Sequence, residues 1–584
     1  MEPNSSPNTP TAAADASARV PGAPHEPTGR TAGAHTDTFA RDHLPPPDQW
    51  PKLLLDDPAP RYPDRLNCGH ELLDRTVEEY GADRPALRSG DGGVWSYGEL
   101  RETVDRIAHV LTDDLGVVPG NRVLLRGPTT PWLAACWLAV MKAGAVAVTV
   151  LAQARATELA TICSLARIGH ALCDARSVED LAAADVDGLR ITPFGGDGPG
   201  DLTRLASAHS GSGPYRAVDT AADEVALIAF TSGTTGRPKG CMHLHRDLLA
   251  IADTFSRHVL LPSADDVFAG SPPLGFTFGL GGLLVFPLRA GASTLLLEQA
   301  GPQHLLPALV QHRVSVLFTA PTAYRTMLGQ LNGHDLSALR RCVSAGENLP
   351  EATWRAWYEA TGLRIINGIG ATELLHIFIS AADDAIRPGM TGVPVPGWQA
   401  RVVDEHGEEL PDGEPGLLAV RGPVGCRYLA DPRQTEYVRH GWNLTGDTFV
   451  REPDGYFRYV ARADDMIISS GYNIAGPEVE DALLRHPEVA EAAVVGRADE
   501  LRGEIVVTHV VLTEGSEQTA DSLRAHMKAN LAPHKCPRLF VFEESLPRTA
   551  TGKLQRFLLR EDLREDLRED LREDLREDLR EDRA

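Results

Sequence analysis

Short apolar runs alternate with helix-patterned segments along most of this chain, and that alternation leaves few folds open to it. Arg122 to Leu125 reads as a strand, Trp132 to Met141 as a helix and Ala145 to Val150 as another strand. Two strands joined through a helix pair in parallel, because the crossover returns the chain to the same end of the sheet. Thr294–Leu297, Val314–Phe318, Arg341–Ser344 and Leu363–Ile366 repeat the pattern, with helical stretches between them. At 584 residues the chain is too long for a single hydrophobic core. The expected fold is α/β, with a large N-terminal domain of two doubly wound α/β lobes. Between Gln399 and Gly422 the pattern changes to short strands with turn signals at Glu405-His406-Gly407 and Pro411-Asp412-Gly413, which predicts a small β-rich subdomain. From about 465 the chain reads as a small α+β C-terminal domain. Its expected helices are Glu478–Leu484 and Leu523–Leu531, and its expected strands Ala492–Val495 and Val506–Leu512.

One strand leads into an unusual connection. The apolar run Val225 to Phe230 is followed by Thr231-Ser232-Gly233-Thr234-Thr235-Gly236-Arg237-Pro238-Lys239-Gly240, and then by Leu248, Ile251, Ala252 and Phe255 at helical spacing. Glycines let backbone N–H groups turn inward, while hydroxyls and an ammonium add donors, so such a loop suits phosphate. It is not the common P-loop, because no Gly-Lys-Ser/Thr stands at the required spacing. Taken alone, it leaves the blander reading of a flexible surface turn open behind the phosphate reading.

Composition removes several function classes. A formal net charge of −24 disfavours a nucleic-acid partner, which calls for a basic face. No segment has eighteen uninterrupted apolar residues, so no membrane span is expected. The eight cysteines stand singly with no CxxC pair, which suggests neither a zinc site nor a disulfide framework and fits a cytoplasmic location.

The two ends read differently from the middle. Residues 1–45, rich in Pro, Ala, Thr and Gly, are expected to be a disordered leader. Residues 559–584 run into a Glu-Asp-Leu-Arg repeat; leucines at 563, 567, 571, 575 and 579 recur every four residues. That spacing fits a solvated helix or a disordered tail better than a coiled coil, whose period is 3.5. The expected divisions are thus 1–45, 46–463, 464–558 and 559–584.

Four further stretches follow the hydroxyl-rich loop in order. They are Asn367-Gly368-Ile369-Gly370-Ala371-Thr372-Glu373, then Leu444-Thr445-Gly446-Asp447, then Ala461-Arg462-Ala463-Asp464-Asp465 with Gly471-Tyr472-Asn473-Ile474, and finally Pro547-Arg548-Thr549-Ala550-Thr551-Gly552-Lys553-Leu554. Over about residues 65–560 the chain resembles the acyl-adenylate-forming superfamily of AMP-dependent synthetases and ligases. The resemblance implies a carboxylic acid activated with ATP and Mg²⁺, and a C-terminal domain that moves between two half-reactions.

It also implies roles. Thr231, Ser232, Gly233, Thr234, Thr235, Gly236 and Lys239 would cradle the nucleotide's phosphates, with Gly368 and Ile369 among the nucleotide contacts. Thr372 would touch phosphate, and Glu373 would hold Mg²⁺, a hard cation suited to oxygen. Asp447 would accept the ribose hydroxyls beside Arg462, and Lys553 would bridge the α-phosphate and the acid. Asp464 falls at the hinge, and Gly471 where a pantetheine thiol enters. Ile369 departs from the wider superfamily, many members of which place an adenine-stacking tyrosine there.

Gly270 to Gly282, with Phe276 and Phe278, stands where such proteins line the acyl pocket, and it has no acid to pair with an α-ammonium. The chain looks most like the benzoate and 2-aminobenzoate–CoA ligase branch. Ala345 and Gly346 would then floor the pocket, with His376 and Ile377 near the ring, although His376 reads equally as a structural histidine. The expected partners are a small aromatic carboxylic acid, ATP and coenzyme A. A separate carrier protein, a fatty-acid substrate and a homodimer stay open.

Overall fold

The computed structural model describes residues 33–56, 60–231, 238–469, 472–499, 502–548 and 554–560. Its secondary structure falls into four sheets. The first has six strands in the order Arg190–Phe194, His170–Asp174, Arg122–Arg126, Val146–Val150, Val225–Thr231 and Lys239–Leu244. All neighbours in it are parallel except the last pair. Every residue of Arg122–Arg126 and Val146–Val150 is buried, as in a sheet covered on both faces. Between these strands runs the helix Pro131–Lys142. Thr130 opens it by accepting from the Leu133 N–H, with Pro131 in the first turn where no donor is missed.

The second sheet has nine strands. Its parallel centre runs Ile365–Gly370, Arg341–Ser344, Val316–Thr319, Val267–Gly270, Ser293–Leu296 and Pro85–Ser89. Antiparallel strands close both edges. The two doubly wound lobes are therefore present, but they are not consecutive in the chain. Pro85–Ser89 precedes the whole first sheet and still pairs with Ser293–Leu296. The β-rich subdomain holds Gln399–Val403, Pro415–Arg421, Val438–Arg439, Trp442–Arg451 and Phe457–Arg462. The small C-terminal sheet holds Ile467–Ser469, Tyr472–Ile474, Val489–Asp499, Gly503–Leu512 and Leu539–Phe542. Helices Gly476–Leu484 and Ala520–Asn530 pack on it, burying Val479, Leu483, Leu523 and Met527.

The expectation for the leader needs correction. Chain packing begins well before residue 46: Ala40 is fully buried, and the His35 N–H donates to Glu224 Oε1 at 2.8 Å. Phe39 adds to this by lying under the Arg122 and Arg167 guanidiniums at 4.6 and 5.0 Å, while Asn121 donates to Asp37 at 2.8 Å. The Gly/Asp/Pro-rich segment 194–215 contains the helix Leu202–Ala208, started by the buried Asp201 carboxylate accepting from the Thr203 N–H. The expectations for residues 1–32 and 561–584 lie outside the described residues.

Candidate active site

The hydroxyl-rich connection joins two antiparallel strands rather than a strand and a helix. Thr231 ends Val225–Thr231, and Lys239 opens the returning strand Lys239–Leu244 directly opposite it; the helix His245–Ile251 starts only after that strand. Ser232, Gly233, Thr234, Thr235 and Gly236 lie outside the described residues, as do Gly471 and Lys553. Thr231 Oγ1, at the loop's entrance, is buried and has no hydrogen-bond partner among the described residues. A donor left unpaired inside a protein is costly unless a ligand uses it.

Lys239 crosses to the edge of the second lobe, where its Nζ stands 3.7 Å from Glu373 Oε1. Glu373 sits in the short turn Thr372–Leu374 after the strand Ile365–Gly370 and is 8% exposed. The Tyr428 hydroxyl donates to the same Oε1 at 2.5 Å, and Lys239 also lies over the Tyr428 ring at 5.0 Å. Burial and the Glu373 charge push the Tyr428 pKa far up, so its hydroxyl stays a donor. Thr372 is held from behind, since its carbonyl lies 2.8 Å from His243 Nε2. Both of these contacts fall on Oε1, and no hydrogen bond reaches Oε2 among the described residues. A carboxylate with one oxygen anchored and the other available fits the hard-oxygen preference of Mg²⁺.

Asp447 and Arg462 are cross-strand partners on Trp442–Arg451 and Phe457–Arg462. Arg462 Nη1 donates to Asp447 Oδ1 and to the Thr445 carbonyl, both at 3.2 Å. Burial lowers the Arg462 pKa, but Asp447 and Asp464 outweigh it, and the guanidinium stays charged. Gly446 is required between them: its φ is +76°, and a Cβ there would stand 3.1 Å from Arg462 Nη2. Tyr437 lies partly buried against Tyr428. Its ring packs at 5.8 Å on Tyr428, and burial, Glu373 and, more weakly, Asp447 all raise its pKa. Asp464 lies in the tight turn Ala463–Asp465, 3.5 Å from Arg462 Nε, just before the C-terminal sheet begins.

A cavity of about 50 Å³ opens in the segment predicted to line the acyl pocket. Pro272, Pro273, Phe276, Phe278, Ala320 and Ala345 form its apolar walls, while Ser271, Gly346 and Glu347 complete it. Gly346 turns the chain at φ +91°, which a side chain would strain. His376 does not line the cavity. It stands behind Phe278, enclosed by Phe255, Phe278, Phe286 and Phe318 at centroid distances of 4.6–6.3 Å. Burial drops its pKa to about 3, so it is a neutral core residue. Ile377 is also outside the lining, at 1% exposure, and Gly368 is buried beside it. Ile369, by contrast, is only partly buried.

Sequence reasoning missed Tyr428, Tyr437, His243 and Glu347. None stands in a glycine-rich stretch, and each matters only through contacts made across elements far apart in the chain.

The AMP-binding enzyme family model matches residues 73–428, more than half of the chain, and the AMP-binding enzyme C-terminal domain model matches residues 478–553. The chain belongs to the AMP-binding enzyme family. Among members of the family, the benzoate–CoA ligase of Thauera aromatica is 35% identical over 527 residues, covering 86% of this chain and 97% of that protein. The crystal structure of the anthranilate CoA ligase AuaEII with anthranoyl-AMP matches with a TM-score of 0.82 at 31% identity, over 87% of this chain and 99% of that one. A benzoate CoA ligase from Burkholderia xenovorans LB400 matches with a TM-score of 0.78 at 33% identity, over 85% and 100%.

Proposed function

We propose that this AMP-binding enzyme is an aryl-CoA ligase acting on benzoate or 2-aminobenzoate. It is an acid–thiol ligase of the AMP-forming kind, using ATP, Mg²⁺ and coenzyme A. The observation that carries the aryl assignment is the small cavity between Phe276 and Ala345, whose walls are mostly apolar. The likeness to benzoate and anthranilate CoA ligases supports the same substrate class.

In the first step an oxygen of the aryl carboxylate attacks the α-phosphorus of ATP, and pyrophosphate leaves with the electron pair of the broken P–O bond. The Thr231–Gly236 loop and Lys239 hold the β- and γ-phosphates, and Thr372 contacts phosphate. Asp447 accepts the ribose hydroxyls, oriented by Arg462. Glu373 would hold Mg²⁺, which when bound would supply neutralisation of phosphate charge. Lys553 bridges the α-phosphate and the acid as a mobile point charge. Residues 464–558 then turn about Asp464 against residues 46–463, withdrawing Lys553 and presenting Gly471 to the pantetheine arm. The CoA thiol gives its proton to solvent, its sulfur attacks the acyl carbon, and AMP leaves with the electron pair of the broken acyl C–O bond. No protein nucleophile takes part, so positioning and charge neutralisation carry the rate.

A panel of benzoate, 2-aminobenzoate, hydroxybenzoates, cinnamate and fatty acids, scored by AMP release with CoA, with a phosphopantetheinylated carrier protein and with neither, tests the reading. CoA-dependent turnover greatest with benzoate or 2-aminobenzoate is expected. Preference for a fatty acid, or for the carrier, would overturn it.

A further inference from the structure

Glu347, one residue beyond the cavity's Gly346, is itself part of the lining, and it is held from the C-terminal domain. Arg548 Nη1 donates to Glu347 Oε1 at 3.1 Å, while its Nη2 donates to Glu491 Oε2 at 2.6 Å. On the other side Thr322 Oγ1 donates to Glu347 Oε2. Thr322 and Arg325 lie one turn apart on the helix Pro321–Leu328, whose preceding residue Ala320 also lines the cavity. Arg325 Nη2 reaches the Val489 carbonyl in the C-terminal sheet at 2.8 Å. Arg548 also bridges to Leu554 in an antiparallel contact, so the two ends of the segment carrying Lys553 meet at the residue that pairs with Glu347.

We propose that Arg548 and Glu347 form an ionic latch that makes the charge at the mouth of the acyl cavity depend on where the C-terminal domain stands. This rests on the aryl-CoA ligase reading and deepens it. While Arg548 is docked, its guanidinium, shared with Glu491, offsets the Glu347 charge, and an anionic aryl carboxylate meets less negative charge at the cavity. When residues 464–558 turn for the thioester step, Arg548 leaves with them. Glu347 then keeps one hydroxyl donor and a full negative charge beside the place the free acid would occupy. A like charge at that range disfavours the carboxylate, whereas the acyl carbon of an aryl-adenylate carries no charge and is tolerated. The latch thus ties binding of free acid to the adenylating arrangement and discourages a second acid from entering before the thioester has left. Arg548 and Glu347 are positioning residues; neither is required to touch a reacting atom.

Kinetics of benzoate-dependent pyrophosphate exchange, beside thioester formation from supplied benzoyl-AMP and CoA, test the latch in Arg548→Gln, Arg548→Lys, Glu347→Gln and the double variant Arg548→Gln/Glu347→Gln. Arg548→Gln is expected to raise the KM for benzoate on the order of 10-fold, a typical coupling between two linked events, with the KM for ATP and the benzoyl-AMP reaction unchanged. Arg548→Lys, which keeps the positive charge, is expected to stay near wild type. Adding Glu347→Gln to Arg548→Gln is expected to bring the KM for benzoate back down. Failure of that rescue, or equal loss of both half-reactions in Arg548→Gln, would overturn the latch while leaving the aryl-CoA ligase reading in place. Wild-type protein that exchanges pyrophosphate with no aryl acid would remove both.

Discussion

The Tyr428 hydroxyl and the Glu373 carboxylate are joined at 2.5 Å across 55 residues of chain, with Lys239 3.7 Å from the same oxygen. That arrangement fixes Oε1 and leaves Oε2 for a ligand. Tyr428→Phe keeps the ring and removes the donor, so a buried carboxylate loses one of its two close contacts. A hydrogen bond to a charged group contributes about 1.5–3 kcal/mol. A lower unfolding temperature and a raised KM for MgATP are expected together. Thermal unfolding and initial rates at varied MgATP check this, and an unchanged KM would place Glu373 outside the nucleotide site.

Gly446→Ala tests the Asp447–Arg462 pair without touching either charge. The substitution forces a side chain into a left-handed conformation, at a cost of about 1–2 kcal/mol, and crowds the Arg462 guanidinium. The KM for ATP should rise while the KM for benzoate stays the same. Asp447→Asn should give the same split, and a change confined to the acid's KM would contradict the assignment.

His243, His245 and His376 are buried in neutral form. Burial lowers the pKa of His243 to about 4 and those of His245 and His376 to about 3. Between those values and the ordinary 6.5, the unfolded chain binds protons that the folded chain refuses. Stability is therefore full above pH 6.5 and is lost as pH falls, each group contributing up to about 1.4 kcal/mol per pH unit. Urea unfolding at pH 7, 6 and 5 should show the decline, and His376→Leu should flatten it by one proton. The same variant should leave the pH dependence of the rate unchanged, because His376 stands behind Phe278 and outside the cavity.

Lys142 is a buried cation held by two acids, Asp105 at 2.5 Å and Asp74 at 2.9 Å. Lys142→Met leaves both carboxylates without their ammonium. Breaking a buried pair in this way costs about 3–5 kcal/mol. A fall of that size in urea unfolding free energy is expected, with KM values unaltered; a neutral substitution would show the carboxylates to be compensated elsewhere.

Much of this architecture is legible in the sequence because it follows local periodicity. Arg122–Arg126, Val146–Val150 and Arg341–Ser344 announce themselves as apolar runs, and Pro131–Lys142 as a helix with a Thr-Pro start. The placement of Pro85–Ser89 beside Ser293–Leu296 is not legible, because no local pattern encodes a pairing across some two hundred residues. The same holds at the site. Glu373, Asp447 and Arg462 stand in recognisable stretches, whereas Tyr428 and Glu347 gain their meaning only from the partners folding brings to them. Lys239 shows the opposite failure: grouped with a loop by sequence, it belongs to a strand, which is what aims it at Glu373.

The central claim is that an aryl acid is joined to AMP under a lysine from the C-terminal domain, and then passed to a thiol. Benzoate-dependent exchange of labelled pyrophosphate into ATP, measured for wild type and Lys553→Ala beside thioester formation from supplied benzoyl-AMP, tests it most directly. Exchange by the wild type, its loss in Lys553→Ala and survival of thioester formation in that variant are the expected result. No exchange by the wild type with any aryl acid, or equal loss of both half-reactions in the variant, would contradict the account.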